Sequence, residues 1–339
     1  MATQTATFDA FRSPALRTTH EEPPSAVVEC YDFLDQVVPD CGVRDLTDGI
    51  YLDPHASFEE AQHTQAKWLL DEVGCRAGSR FLDIGCGYGR LLELAGRRGA
   101  MAIGISISPG QVARCHARNL DVRLLDYRHI PEDWNGQFDC IAANGSIEHF
   151  VQPSDVAAGR ADAVYRQMFE ICHQLLKPLG RLVTTVIHRR DSRFDLSTAE
   201  LRRDPLSFGW GSAKFHYRML QECFGGSYPY DGQLAKCAAG KFTKLNEVDG
   251  TSDYQRTAEQ GVRQIRSRLR SLDCGPRIWR NLAKFCLRQP QEGVSLLVCM
   301  LVTQSWEWQF RGALPPTKLL RQTWQREDVS LWSKYQAPV

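Results

Sequence analysis

The chain has 339 residues, of which 43% are hydrophobic and 24% charged, an ordinary globular composition that is long enough for one large domain or two small ones. Its 41 Lys and Arg against 40 Asp and Glu leave a net charge of +1, so no overall field favours nucleic acid or an anionic membrane. Its twelve cysteines include no C-x-x-C pair, which argues against a disulfide scaffold and predicts buried, reduced thiols in a cytoplasmic protein.

The beginning of the chain is predicted to lie outside the folded domain. Residues 1–25 lack the apolar core of a signal peptide and are expected to be disordered. Residues 26–339 are expected to form a single domain, with a core at about 76–190 and 240–325 and a cap insertion at about 188–240. Two helices are predicted ahead of that core, at 31–38 and 58–73.

The core is predicted to alternate regularly between strands and helices. The strands are expected at 81–85, 101–105, 122–125, 138–143 and 181–187, with helices between them at 89–97, 109–118 and 161–176. This alternation predicts an α/β fold with a doubly wound, mostly parallel, seven-stranded Rossmann-like sheet. Ligands of such sheets bind at the carboxyl ends of the strands.

The regular alternation of strands and helices ends after residue 187. Residues 188–232 alternate between charged and aromatic residues, which predicts a largely helical cap over the site or, alternatively, an ordinary surface excursion. A further strand is predicted at 242–248 and a helix at 253–272, whose arginines are more typical of a solvated face than of contact with lipid head groups. Residues 276–310 are predicted to be mostly helical, and 318–324 to supply a last edge strand.

A glycine turn follows the first core strand. Gly85, Gly87 and Gly89 recur at every second position directly before a predicted helix, where bare backbone can lie against a nucleotide-like ligand. The dinucleotide fingerprint G-x-G-x-x-G would require glycine at position 90, which is Arg90. This difference favours a ligand without phosphates, and S-adenosylmethionine (SAM) is the strongest candidate.

Four ordered motifs carry a resemblance to a known family: Leu82–Gly89, Gly104–Gln111, Leu125–Arg128 and Asn144–Phe150. Together they resemble the class I SAM-dependent methyltransferases, and most of all the cyclopropane fatty acid synthase group, which includes the mycolic acid methyltransferases. The resemblance implies a methyltransferase with SAM as its cofactor. Weaker matches extend it over most of residues 30–322.

The same resemblance implies which residues hold the cofactor. The glycine turn would pass under the methionine and ribose portions, Ser106 and Gln111 would contact the ribose, and Asn144 and Gly145 would line the methionine end. The adenine would lie between Ile107 and the Asp126-Tyr127 pair, with the Asp126 carboxylate accepting from its exocyclic amine, although a plain turn after a strand is the alternative for this pair. The full candidate set is Asp83, Gly85, Cys86, Gly87, Gly89, Ser106, Ile107, Gln111, Asp126, Tyr127, Asn144 and Gly145.

Glu148 and His149 are the candidate catalytic residues. In the cyclopropane synthases a glutamate, a histidine, a cysteine and a tyrosine hold a bicarbonate that removes a proton after methyl transfer. Glu148 matches the glutamate, but Thr185 stands at the histidine position and the cysteine position falls close to Asp48. The resemblance therefore predicts that a bicarbonate cage of this form is absent, which puts ring closure in doubt.

Three functions stay open from the sequence. The leading one is methyl transfer to carbon of a lipid or other apolar acceptor, with Trp306, Trp308 and Phe310 as candidates to line a hydrophobic channel, although aromatics of this kind more often pack in a core. The second is N- or C-methylation of a small molecule, with Glu148 and His149 handling an amine or enol, although His149 fits a structural role equally well. The third is a non-catalytic SAM-binding protein. Peripheral membrane contact and the oligomeric state are left open, and no nucleic-acid partner and no metal are expected.

Overall fold

A computed structural model describes residues 25–37, 39–43, 45, 47–191, 195–302 and 304–328. The disorder predicted for the start of the chain falls outside this range, except that Ser25 already belongs to helix α1 (Ser25–Val37). Helix α2 (Phe58–Glu72) begins with a capping box in which the Ser57 side chain accepts from the Glu60 backbone and the Glu60 side chain accepts from the Ser57 backbone.

Seven strands form one sheet, which confirms the predicted fold class. They are β1 (Arg80–Ile84), β2 (Met101–Ser106), β3 (Val122–Leu124), β4 (Phe138–Asn144), β5 (Leu176–Arg189), β6 (Phe242–Asp249) and β7 (Thr317–Arg326). Their order is β3-β2-β1-β4-β5-β7-β6. Strands β1 to β5 pair in parallel, and β7 pairs antiparallel with β5 and β6. The carboxyl ends of the parallel strands therefore meet at one edge, where the order reverses around β1 and β4.

The prediction that the last strand lies at an edge of the sheet was wrong. Strand β7 is hydrogen-bonded on both sides, to β5 and to β6. Its Leu319, Leu320 and Trp324 are buried, whereas β6 is exposed along most of its length and forms the edge. Only Phe242 of β6 is buried, which suits a strand at an edge, whereas β7 is buried over most of its length although seven of its ten residues are polar. Strand β5 also begins at Leu176, ahead of the predicted start at residue 181.

Helices cover both faces of the sheet. The remaining helices are α3 (Arg90–Arg97), α4 (Pro109–His116), α5 (Pro153–Ala157), α6 (Ala161–Leu175), α7 (Thr198–Leu201), α8 (Ala213–Phe224), α9 (Gln233–Ala238), α10 (Thr251–Leu269), α11 (Gly275–Arg288), α12 (Pro290–Leu297) and α13 (Ser305–Trp308). Alternate residues of β1 point to opposite faces. Phe81 packs with residues of α2 to α4, and Leu82 packs with residues of α6 and α9.

A separate helical layer lies beside the carboxyl ends of the strands. Its core joins residues of α1, α8, α10 and α11, and it includes Tyr88, Ile187 and Leu319 from the strand ends. Phe33 and Phe285 meet edge to face with ring centroids 5.0 Å apart, which fastens α1 to α11. This layer takes α8 from the predicted cap at 188–240, but α1, α10 and α11 come from outside that segment.

The cysteines agree with the expectation of buried thiols. All twelve are free; eleven are buried and Cys286 is partly exposed. Within the part of the chain that the structure describes, none of the helices has the length and apolarity needed to cross a bilayer.

Candidate active site

A cavity of about 250 Å³ lies at the carboxyl ends of the parallel strands, beneath the helical layer. Gly89 is not part of its lining. A Cβ at Gly89 would point toward the Leu120 side chain, at 2.5 Å, and not toward the cavity. The other predicted site residues all line the cavity: Asp83, Gly85, Cys86, Gly87, Ser106, Ile107, Gln111, Asp126, Tyr127, Asn144, Gly145, Glu148 and His149.

The glycine turn links the ends of β1 and β4. Gly85 has φ 75°, and a Cβ there would lie 2.5 Å from the Ser146 Cβ. Ser146 in turn donates a hydrogen bond from Oγ to the Ile84 carbonyl oxygen at 2.8 Å. A side chain at position 85 would therefore push the two strand ends apart. Gly87, by contrast, has no heavy atom within 4 Å of a Cβ position, so its backbone faces open space.

Asp83 is a buried carboxylate whose Oδ1 has no hydrogen-bond partner among the described residues. Burial, with the nearby Asp45 as the next cause, raises its pKa well above the ordinary range. A buried polar atom without a partner, where it lies in the wall of a cavity, is a candidate contact for a ligand. Because Asp83 lines the cavity beside the glycine turn, it fits the ammonium group of the methionine portion of SAM.

Ser106 and Gln111 are bonded to each other. The Ser106 hydroxyl donates to Gln111 Oε1 at 2.9 Å and accepts from the Ser108 backbone N–H at 3.1 Å. Ser108 caps α4 by accepting from the Gln111 backbone N–H. With its amide oxygen used in this way, Gln111 keeps its NH2 group as the donor that a ribose hydroxyl can meet.

The Asp126 carboxylate already accepts hydrogen bonds from within the protein, which the sequence does not predict. Its Oδ1 accepts from Arg128 Nε at 3.0 Å and its Oδ2 from Arg128 Nη2 at 2.7 Å. Oδ1 also accepts from the Arg128 backbone N–H at 2.9 Å, as in the alternative of a plain turn. The neighbouring Tyr127 stacks on Phe150 with ring centroids 4.1 Å apart, so it presents a flat apolar surface beside Ile107 in the cavity.

Asn144 is oriented by two donors. Its Oδ1 accepts from Thr185 Oγ1 at 2.5 Å and from Gln65 Nε2 at 2.9 Å. Gln65 Nε2 also donates to Asp48 Oδ1 at 2.9 Å. The Asn144 NH2 group is thereby left as a donor at the methionine end of the cavity. Thr185, which stands at the family's histidine position, is engaged in this network.

Asp48 forms a buried ion pair that the sequence analysis missed. Its Oδ2 accepts from Arg321 Nη2 at 2.5 Å and from Nε at 3.0 Å, and Arg321 Nη1 reaches Asp253 Oδ2 at 3.0 Å. Burial raises the pKa of Asp48, and the Arg321 charge opposes that shift. The available signal was the arginine itself, which directly follows the apolar pair Leu319 and Leu320 within the predicted strand.

Glu148 lies in a short 3-10 turn (Ile147–His149) directly after β4. Its Oε1 accepts from the Ile187 backbone N–H at 2.8 Å, whereas its Oε2 is buried and has no hydrogen-bond partner among the described residues. Burial raises the pKa of this carboxyl to about 7 against the hydrogen bonds that lower it. Glu148 thus has one free oxygen inside the cavity and is far more basic than an ordinary carboxylate.

His149 has protein partners for both ring nitrogens. Nδ1 lies 3.0 Å from the Phe224 carbonyl oxygen and must donate to it, so Nε2 accepts from the Tyr31 hydroxyl at 2.9 Å. Burial lowers the pKa of His149 to about 4, which keeps the ring neutral. Gly226 (φ 77°) packs against the Glu148 and His149 backbone, where a Cβ would clash with the Glu148 carbonyl. His149 therefore joins α1 and α8 to the turn.

Aromatic side chains lie near Glu148. Burial and, after it, neighbouring charges that include Glu148 raise the pKa of Tyr31, Tyr228 and Tyr254. Trp306 meets Tyr254 edge to face with ring centroids 6.3 Å apart. All four aromatic residues line the cavity, and together with Glu148 we call them the acceptor half. The residues from Asp83 to Asn144 form the cofactor half. Of the three aromatic residues expected in a channel, Trp306 alone lines the cavity. Trp308 stacks on His216 and Phe310 is buried in the helical layer. Tyr31 and Tyr228 were not predicted as site residues: Tyr31 belongs to one of the weaker matches to the family, and Tyr228 to none of them.

The sheet order, the glycine turn and a cavity at the strand ends define a class I SAM-dependent methyltransferase fold. The sequence matches mycolic acid cyclopropane synthetase over residues 44–224, more than half of the chain. The chain belongs to this family, whose members are SAM-dependent methyltransferases.

Solved structures and curated relatives agree with this assignment. The cyclopropane synthase MmaA2 from Mycobacterium tuberculosis matches with a TM-score of 0.67 and 19% identity, over 91% of this chain and 100% of that one. Coclaurine N-methyltransferase bound to N-methylheliamine and SAH matches with a TM-score of 0.64 and 14% identity, over 93% and 82%. The ubiquinone biosynthesis O-methyltransferase of Acinetobacter baylyi is 30% identical over 152 residues, which cover 42% of this chain but only 59% of that relative.

Proposed function

We propose that this protein is a SAM-dependent methyltransferase that adds a methyl group to a carbon atom of a lipid or other apolar acceptor. Glu148 supports this proposal most strongly, because its free carboxylate oxygen is buried among aromatic rings in the acceptor half. Val27, Leu34 and Leu319 extend the apolar wall. Such a pocket suits an acceptor that brings no polar groups of its own.

The cofactor half offers a complementary group for each part of SAM. Asp83 and Asn144 would hold the methionine portion against the Gly87 backbone, and the Gln111 amide would hold the ribose. Ile107 and Tyr127 would flank the adenine. When bound, SAM supplies a methyl group already activated by its sulfonium.

The residues of the acceptor half would stabilise and then discharge the positive charge that methyl transfer creates. When an alkene carbon forms the new C–C bond, its neighbour becomes electron-deficient, and the Glu148 carboxylate and the aromatic faces stabilise that charge. A C–H bond of the acceptor then breaks: its electron pair restores a double bond, and the proton moves to Glu148 Oε2. The raised pKa of Glu148, about 7, suits this role as base.

The residues present do not fit a bicarbonate cage, and no step of the proposed reaction uses bicarbonate. Thr185 is bonded to Asn144 and Asp48 to Arg321. Two arginines of the cavity lining, Arg90 and Arg128, are each paired with an aspartate. With these groups engaged, the proposed product is a methylated alkene and not a cyclopropane ring.

An amine acceptor is the second candidate. A carboxylate near Tyr228 and Tyr254 can also hold an ammonium group through its charge and through cation–π contact. The fold likeness to coclaurine N-methyltransferase makes this chemistry a reasonable alternative, at 14% identity. In that reaction Glu148 would take the amine proton before methyl transfer.

A product search separates these candidates. Purified protein and SAM are incubated with a lipid extract and, separately, with a pool of polar metabolites, and mass spectrometry looks for products heavier by one methylene unit. We expect a product heavier by one methylene unit from an unsaturated lipid, and we expect this product to be absent with the Glu148→Gln variant. If only a polar amine gained this mass, the protein would be an amine methyltransferase, and the proposal of a carbon acceptor would be wrong. No gain in either pool, with SAM still bound, would overturn both.

A further inference from the structure

A strongly basic segment runs through α10 and α11. The 26 residues from Arg263 to Arg288 contain eight of the chain's 41 Lys and Arg residues but one of its 40 Asp and Glu residues. The rest of the chain is therefore acidic on balance, so the near-zero net charge hides a local positive field.

The outer face of α11 combines these charges with apolar side chains. Ile278, Leu282 and Phe285 are buried against the helical layer. At roughly 100° per residue, Arg280 and Leu287 lie within about 20° of each other on the opposite side, next to Lys284. We call the exposed set Arg270, Leu272, Arg280, Lys284, Leu287 and Arg288 the basic face.

Its apolar members are unusually exposed. Leu272, in the turn between α10 and α11, is 96% exposed and Leu287 is 84% exposed. Trp279 is 49% exposed, and its indole N–H donates to the Leu269 carbonyl at 3.0 Å, which fixes the ring beside this turn. Apolar side chains that project between cations are typical of a helix lying in a membrane interface.

The charges of the basic face have no carboxylate partners within the described part of the chain. Arg277, on the same helix, is different, because it pairs with Asp40 at 2.9 Å and is left out of the set. The four cations Arg270, Arg280, Lys284 and Arg288 are in no ion pair there. They are available to an external anionic surface.

We propose that the basic face docks this protein onto anionic lipid membranes. The cations contact lipid phosphates while Leu272, Leu287 and the Trp279 ring enter the interface. Leu272 and Leu287 favour a membrane over an acidic carrier protein, since two isolated, protruding leucines offer a folded partner little continuous surface. The inner faces of α1 and α10 border the acceptor half, so docking would bring the lipid phase within one helix layer of the cavity.

Vesicle binding by the full chain tests the proposal and does not depend on which acceptor is methylated. Sedimentation with phosphatidylcholine vesicles containing about 30% phosphatidylglycerol should show binding that falls as salt rises from about 0.1 M to about 0.5 M. Pure phosphatidylcholine vesicles should bind far less. The triple variant R280Q/K284Q/R288Q should lose about 100-fold in partition coefficient, at roughly five-fold per charge.

Two further variants make the result specific. Leu287→Ser should weaken binding without changing its salt dependence, because it removes insertion and leaves the charges. The control R76Q/R97Q/R123Q removes three exposed arginines of the β1–β3 half and should bind as the wild type does. Equal loss in this control, no loss in R280Q/K284Q/R288Q, or binding to an acidic acyl carrier protein but not to vesicles would overturn the proposal.

Discussion

The two halves of the cavity are built in different ways. The cofactor half comes from one continuous stretch between Asp83 and Asn144. Ser106 and Gln111 of this half are held by a bond between neighbours, and of its polar groups described above Asn144 is the one oriented from outside the stretch, by Gln65 and Thr185. The acceptor half is assembled from α1, α10, α13, the segment after α8 and the Glu148 turn, and its parts are held by distant contacts such as Tyr31 with His149. The first half is a local property of the sequence, and the second exists only once the chain has folded.

The two halves also differ in how much change of sequence they can tolerate. The cofactor half must fit a fixed ligand, so its backbone turn allows little change. The acceptor half retains Glu148, but Thr185 and Asp48, at or near two of the family's bicarbonate positions, are engaged in other contacts. We therefore expect substitutions in the first half to remove binding of SAM and those in the second to change the reaction.

Among the substitutions that we propose, one in the glycine turn should have the largest effect, a loss of SAM binding. Gly87→Leu should weaken SAM binding at least about 100-fold by isothermal titration, because its side chain would occupy the open space beside the backbone. Gly78→Leu is the matched control, since Gly78 also has a positive φ (79°, against 52° at Gly87) and free space around a Cβ position but lies outside the cavity lining. It should cost about 1–2 kcal/mol of stability and leave SAM affinity unchanged. Equal loss in both variants would contradict the cofactor placement.

Glu148→Gln should lower turnover by about 10²- to 10⁴-fold and leave SAM affinity within about two-fold, because it removes the base and keeps the shape. Wild-type kcat/KM should rise with pH through about 7, while His149, with a pKa of about 4, stays neutral. Glu170→Gln, at a surface ion pair with Lys241, serves as control. A fully active Glu148→Gln enzyme would remove Glu148 from the mechanism.

Stability measurements test the same pKa shift without an acceptor. The folded state holds the Glu148 proton up to about pH 7, whereas the ordinary carboxyl pKa is 4.5. Between these values the folded state binds more protons than the unfolded state, so this group makes stability fall as pH rises. Glu148→Gln should therefore gain more in Tm at pH 8 than at pH 5. Equal shifts at the two pH values would contradict the raised pKa.

The Asp48–Arg321 pair should have the next largest effect on folding. Arg321→Met should cost about 3–5 kcal/mol in urea unfolding, because it leaves a buried carboxylate without its counter-charge. The double variant Asp48→Leu with Arg321→Met should recover more than half of that loss. If the double variant were less stable than Arg321→Met alone, the pair would not be the source of the effect.

The smallest effect is expected at the contact between α1 and the Glu148 turn. Tyr31→Phe removes the hydroxyl that donates to His149 Nε2 and should cost about 1 kcal/mol. Turnover should fall only a few-fold, since His149 keeps its bond to Phe224. A loss as large as that of Glu148→Gln would indicate that His149 acts in the reaction and does not only position the turn.

The sequence predicts the fold well for physical reasons, and the residues that it proposes for the cofactor, apart from Gly89, all line one cavity. Strand, glycine turn and helix are encoded within a few residues, and Asp83, Ser106 and Gln111 belong to the same motifs. Periodicity could not place β7 inside the sheet, because strand order depends on contacts across the whole chain. Arg321 and Tyr31 were missed for the same reason: their partners lie 273 and 118 residues away.

The most direct test of the account uses SAM with a deuterated methyl group, incubated with the unsaturated lipid that gains mass. If Glu148 takes a proton from the acceptor, the product keeps all three deuterium atoms, and this is the result we predict. A product with only two would show that a proton leaves the transferred methyl group, as ring closure requires, and would contradict the proposed role of the acceptor half.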